Sequence, residues 1–205
     1  MPESSEANTL RAPQRRGTTA QINTETTGLD DDARIVEIAI YSPAGHVALE
    51  TLLNPGEPIP EDASEVHGIT DQMVAQAPSF SEVLPKLTEA LAGRRRLIYK
   101  ASFDSARLQH ELARHHQQAG HPAPDAAAQA WLGTWQAEDV MKPYAEWVGE
   151  WSDYWGGYAG QGLHGGHRAL GDCKALLERL KEMAKGRGFA LSEGGSKPNR
   201  RVVRP

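Results

Sequence analysis

Ile22-Asn23-Thr24-Glu25-Thr26-Thr27-Gly28 is the stretch on which the reading of this chain turns. An apolar residue leads into it and a Thr-Thr-Gly turn leads out, the pattern of a strand that ends at a site. Alternate strand residues point the same way, so Asn23 and Glu25 are expected on one face. Next along the chain, Arg34 to Tyr41 alternates as a strand, Ser42-Pro43-Ala44-Gly45 supplies a turn, and Val47 to Leu53 reads as the antiparallel partner. A strand hairpin followed by helices indicates a mixed α/β sheet.

Asn54 to Pro60 is rich in Pro and Gly and reads as a loop. Thr70 is placed to cap a short helix running through Met73. Ser79 and Glu82 have capping-box spacing, and Val83, Leu87 and Leu91 follow as an apolar helical stripe. Leu97 to Tyr99 reads as a strand, with Arg94-Arg95-Arg96 as a solvated edge before it. Phe103-Asp104 begins a helix that carries Leu108 and Leu112 on one side. Residues 119–130, rich in Ala, Pro, Gly and Gln, read as a connection. All five tryptophans lie between 131 and 158. Trp147 and Trp151 are four apart, so they are expected on one helix face with Tyr144, as a core stripe. Leu170, Cys173, Leu177, Leu180 and Ala184 mark a packed terminal helix, with Gly186 as its stop.

At 205 residues with 39% hydrophobic content, one globular domain with tails is expected. Residues 1–17 lack periodicity and read as a disordered tail, 18–185 as the domain, and 186–205 as a basic low-complexity tail. The absence of a long apolar run argues against a membrane span, and the polar start against a signal peptide. The lone Cys173 excludes an internal disulfide framework and reads as core. A reducing, cytoplasmic location is the expectation. The net charge of -5 is uneven: residues 185–205 carry six cations against Glu193, while 18–184 hold a balance of -11. Such a body is not built to grip nucleic acid through a broad basic face. It suits recruitment of divalent cations at converging carboxylates.

Three separated stretches carry the chemistry: Asn23-Thr24-Glu25-Thr26-Thr27-Gly28, Tyr99-Lys100-Ala101-Ser102-Phe103-Asp104, and His167-Arg168-Ala169-Leu170-Gly171-Asp172. In order and spacing they resemble the motifs of the DEDDh 3′–5′ exonucleases, the DnaQ-like branch of the RNase H-like fold, over about residues 20–184. There the first motif reads Asp-x-Glu-Thr-x-Gly, the second ends in Phe-Asp, and the third is His-x4-Asp. The resemblance implies a mixed five-stranded sheet flanked by helices. It also implies two Mg²⁺ or Mn²⁺ ions about 4 Å apart, which would activate water and relieve charge on a phosphodiester. Hard cations want carboxylate oxygens. The implied metal positions are Asn23, Glu25, Asp104 and Asp172, with Glu25 and His167 as catalytic residues.

Gly165-Gly166 lead into His167 and place it on a mobile approach rather than within the helix, where it suits the role of general base. Thr26, Thr27 and Gly28 are expected to meet the terminal nucleotide through backbone N–H groups, with Gly28 free to adopt φ > 0. Val66-His67-Gly68-Ile69-Thr70 resembles a family segment beside that nucleotide, which makes His67 a nucleotide-binding candidate. The implied substrate is a 3′ end of single-stranded DNA in preference to RNA, and the implied protein partner is a polymerase or another replication or repair protein. The chain departs from the pattern at three places. Asn23 puts a neutral amide where the family has a carboxylate, Lys100 replaces an Asn, and Tyr158 to Leu163 lacks the Arg and Trp expected of close relatives. Two readings follow: an exonuclease slowed by Asn23, or an inactive pseudo-nuclease that binds 3′ ends or a polymerase partner.

Overall fold

The computed structural model describes residues 19–190. The expectations for residues 1–17 and for most of 186–205 lie outside that span. Strands β1 (Thr19–Thr26), β2 (Ile35–Tyr41) and β3 (Val47–Leu52) form an antiparallel set. Helices α1 (Glu61–His67), α2 (Asp71–Val74) and α3 (Phe80–Leu91) follow. Strand β4 (Arg95–Ile98) then runs parallel to β1. After α4 (Ala101–Gln118) and α5 (Pro124–Gly133), β5 (Ala137–Asp139) pairs in parallel with β4. Helix α6 (Met141–Val148), a two-stranded hairpin β6 (Trp151–Ser152) and β7 (Gly157–Tyr158), and the long helix α7 (Ala169–Ala190) complete it. The sheet order is β3-β2-β1-β4-β5, the mixed five-stranded sheet expected.

The two faces of the sheet bury different chemistry. Ile22, Ile38 and Ile40 pack with Leu87 and Leu91 of α3 and Leu108 and Leu112 of α4. The opposite face offers small residues: Ala39 meets Ala169 and Cys173 of α7. Asn23 pairs with Ala39 across the ladder and shares its face, so α7 lies over the same side as Asn23 and Glu25. The Ser79–Glu82 capping box closes at the start of α3, as its spacing required.

Several expectations fail for local reasons. The stretch read as a connection contains α5: Pro124 sits at the first helical turn and Ala126, Ala127 and Ala128 favour helix over loop. Trp147 and Trp151 do not share a helix, because Gly149 at φ 80 ends α6 and sends Trp151 into β6. The aromatic stripe is not core, since Trp147, Trp151, Tyr154, Trp155 and Tyr158 are all exposed, while Tyr144 is buried. Helix α7 runs through Gly186, which lies against the Trp147 indole; a Cβ there would come within 3.0 Å of its Nε1. Arg96 is not solvated: it is buried beneath the Trp135 ring at 4.3 Å and donates to the Leu91 carbonyl at 2.7 Å.

Candidate active site

The site forms at the C-terminal end of β1, where sheet pairing changes. Pairing with β4 stops at Gln21, while pairing with β2 continues and shifts register between Glu25 and Thr26. A bulge of this kind re-aims side chains and is common beside active sites. Beyond Gln21 one edge of β1 lies open, and Asp104 of α4 takes it. Its Oδ1 accepts from the Thr24 N–H at 2.9 Å and from Thr24 Oγ1 at 2.8 Å. Thr24 therefore fixes Asp104 between the positions of Asn23 and Glu25, although its own side chain lies on the other face.

Helix α4 is aimed by the residue before it. Lys100 adopts a left-handed conformation (φ 61, ψ 53), which costs a lysine about 1–2 kcal/mol and an asparagine less. Asp139 anchors the same turn by accepting from Ala101 N–H at 3.0 Å and, with its other oxygen, from Met141 N–H at 2.8 Å. The Lys100 ammonium stands 5.6 Å from the Phe103 ring, so it is occupied there and forms no ion pair with the acids.

On the α7 side, Asp172 meets the approach to the helix. A Cβ on Gly165 would fall 2.1 Å from Asp172 Oδ1, so only glycine permits this crossing. The backbone amides of Gly165 and His167 lie on the Asp172 side and oppose the rise in its carboxyl. His167 is exposed and left-handed (φ 51), two residues before α7 begins. It lies off the helix, as the glycine lead-in required. Glu37 of β2, absent from the motif reading, grips this approach. Its carboxylate accepts from Arg168 Nη2 at 2.6 Å and from Ala169 N–H at 2.7 Å.

Crowding of acids dominates the electrostatics. Burial, then the charges of Asp172, Glu37 and Asp104, push the Glu25 carboxyl up to about 8. Burial pushes Asp104 up to about 7 against the pull of Thr24. Asp172 is also raised, chiefly by burial. Asn23 Oδ1 is buried and has no hydrogen-bond partner. Among the described residues, no three His, Cys, Asp or Glu side chains stand close enough to cage an ion by themselves. In donor chemistry the set fits a hard cation: a free carbonyl oxygen beside carboxylates that repel one another.

The residues expected at the nucleotide already carry contacts within the fold. His67 is buried, with Nδ1 accepting from Ile69 N–H at 3.0 Å and Nε2 3.2 Å from the Thr26 carbonyl. Both ring nitrogens are engaged, so His67 braces the end of β1. The Thr27 N–H is spent on the Arg34 carbonyl at 2.8 Å, and its hydroxyl accepts from Arg34 N–H at 2.9 Å. The Thr26 hydroxyl donates to the Gly28 carbonyl at 2.6 Å. Gly28 is not in the left-handed region, and a Cβ there would meet only Ala33, at 3.9 Å. Just past it, Leu29 is 83% exposed, an apolar side chain offered to solvent one residue after the first motif.

The exonuclease family model of the RNase T type matches residues 22–180. The chain is 34% identical to the uncharacterized exonuclease CP81 of Escherichia phage 186, over 80% of this chain and 87% of that one. The chain belongs to this exonuclease family. It is a DnaQ-like 3′–5′ exonuclease by descent, a hydrolase of RNase H-like fold. A DNA polymerase III subunit epsilon of Treponema pallidum is 27% identical over 88% of this chain and 85% of its own. Among solved structures, exonuclease X in complex with 5′ overhanging duplex DNA is similar in fold at a TM-score of 0.55 and 24% identity, covering 85% of this chain and 95% of that one. Exonuclease I of E. coli with a 5cy-dA13 oligonucleotide reaches 0.64 at 16% identity, and the chain spans only 42% of that protein.

Proposed function

We propose that this exonuclease removes nucleotides from the 3′ ends of single-stranded DNA, and that Asn23 holds its rate low. The observation that carries the reading is the orphaned Asn23 Oδ1, on the same strand face as Glu25, whose carboxyl feels the charges of Asp172 and Asp104. These four residues would hold Mg²⁺ or Mn²⁺. When bound, such ions supply charge relief at the phosphate and acidify the attacking water. The chain's own groups do the rest. His167, exposed on its approach, takes the proton from the water as general base. Asp104, pinned by Thr24, and Asp172, packed against the Gly165 crossing, keep the acids in fixed directions. Leu29 presents an apolar surface against which the terminal base can rest.

The substrate assignment draws on the oligonucleotide complexes of the exonuclease I neighbours. The polymerase III epsilon relatives support a polymerase as protein partner. The buried thiol of Cys173 agrees with a reducing, cytoplasmic setting. No helix among the described residues is long and apolar enough to cross a membrane.

Asn23 presents one neutral oxygen where the family has a carboxylate. A loss of about 4 kcal/mol in transition-state stabilisation corresponds to roughly a thousandfold in rate. The test is digestion of 5′-labelled single-stranded DNA with Mn²⁺ by the chain and by Asn23→Asp. The variant is expected to shorten the strand from its 3′ end about a thousandfold faster, and His167→Ala in that background to stop it. A folded Asn23→Asp variant that stays inert would establish the chain as a pseudo-nuclease.

A further inference from the structure

We infer that Glu37 is a positioning residue for His167, acting through Arg168 and the first amide of α7. The inference rests on the reading of His167 as general base. Glu37 is 2% exposed, and among the described residues its carboxylate hydrogen-bonds with the two residues that follow His167. Arg168 Nε donates to Oε1 at 3.2 Å and Oε2 at 3.0 Å, Arg168 Nη2 donates to Oε1 at 2.6 Å, and Ala169 N–H donates to Oε2 at 2.7 Å. One side chain thus fixes both the guanidinium and the helix start.

The approach needs such a hold. His164, Gly166 and His167 have φ of 58, 87 and 51. Left-handed non-glycine residues persist only where their surroundings over-determine them. Upstream, the chain is fixed where Gly165 crosses Asp172. Downstream, Glu37 is the clasp. His167 is exposed and sits between these two fixed points, held through its backbone rather than its ring.

The clasp also sets a distance. Glu37 is the cross-strand partner of Glu25. The approach carrying the base is therefore tied to the rung that carries the first-motif acid. The guanidinium end of this pair is 45% exposed and screened by solvent, while its carboxylate end is buried and must be satisfied where it lies. Burial of Glu37 is better explained by what it orders, the two residues next to His167.

The test uses Arg168→Gln, Arg168→Lys and Glu37→Gln in the Asn23→Asp chain, on a short single-stranded DNA with Mn²⁺. Expected is a fall in kcat of roughly 10- to 100-fold for Arg168→Gln and Glu37→Gln, because a base displaced by about 1 Å loses rate on that scale. KM stays near the parent value, and Arg168→Lys, which retains a charged donor, recovers part of the rate. In the chain as written, the His167 ring signal in NMR shifts or broadens when Arg168 becomes Gln. Unchanged kcat and ring signal in folded Arg168→Gln would overturn the inference. So would a loss confined to KM, which marks a substrate contact instead. Arg168 is half-exposed, so its variants carry the test if Glu37→Gln does not fold. If Asn23→Asp is inert, the exonuclease reading fails, while the ring signal still decides whether the clasp orders His167.

Discussion

Glu25 and Glu37 are direct partners across the β1–β2 ladder, two carboxylates on adjoining positions of one sheet face. Like charges so placed oppose folding. The conflict resolves unequally. Glu37 is paired with Arg168, and Glu25 is driven up to about 8, mainly by burial and then by its acidic neighbours.

A pH dependence of definite sign follows. Glu25 and Asp104 have folded values of about 8 and about 7, above their ordinary values of 4.5 and 3.8. Groups raised on folding stabilise fully below the unfolded value and lose that contribution as pH rises through the folded one. In chelator, the melting temperature is expected to fall from about pH 5, most steeply at about pH 5 to 7 where both folded acids hold protons that the unfolded chain has lost, and to level off above about pH 8. Mn²⁺ should flatten the upper part of the curve. A melting temperature that rises across this window would show that the acids are not crowded.

Asn23→Asp adds a further acid to this cluster. Without metal it is expected to destabilise the fold by about 1–3 kcal/mol, the cost of a buried polar group left unpaired. With Mn²⁺ present the order should reverse, because a ligand that binds only the folded state stabilises it. Denaturant titrations of both chains, with chelator and with Mn²⁺, check this. The same sign of effect in both buffers would contradict it.

The sheet and the acids were legible for different reasons. Alternation in Arg34 to Tyr41 and capping-box spacing at Ser79 are local signals, and local structure followed them. Asn23, Glu25, Asp104, His167 and Asp172 were found because short motifs recur at set intervals. The partners that aim them leave no such trace. Thr24 binds Asp104 across 80 positions and Glu37 binds Arg168 across 131, and neither pair has a spacing rule. His67, Thr26 and Thr27 show a second layer that motifs do not reveal. A motif named them as nucleotide contacts, but hydrogen bonds within the fold already occupy most of their polar atoms.

Arg34 and Glu111 form a buried two-point ion pair, with Nε to Oε1 at 2.8 Å and Nη2 to Oε2 at 2.9 Å, behind the loop that follows Gly28. Glu111→Leu leaves a buried guanidinium alone and is expected to cost about 3–5 kcal/mol. Adding Arg34→Met removes that charge and should restore part of the loss. Recovery stays incomplete, since Glu111 also accepts from Ile35 N–H at 3.1 Å, and an orphaned amide costs about 1–3 kcal/mol. Urea midpoints of the two variants decide it; a double variant less stable than Glu111→Leu would refute the account.

The aromatic residues of the hairpin give the last prediction. Tyr154 is 85% and Trp155 77% exposed, and their rings meet edge-on 4.7 Å apart. Removing a core aromatic costs about 3–5 kcal/mol. These two touch mainly each other, and such a pair is worth about 0.5–1.5 kcal/mol. Tyr154→Ser and Trp155→Ser are therefore expected to shift the urea midpoint by less than about 1 kcal/mol each. Trp151 differs: it faces Tyr158 across the hairpin, rings 5.4 Å apart. Two-residue strands cannot hold themselves without such a contact. Trp151→Ala should loosen the hairpin, seen as faster amide exchange at 151–158, and leave the midpoint of the main sheet in place. A large drop in that midpoint for Trp155→Ser would show that its ring packs on the core and overturn its assignment to the surface.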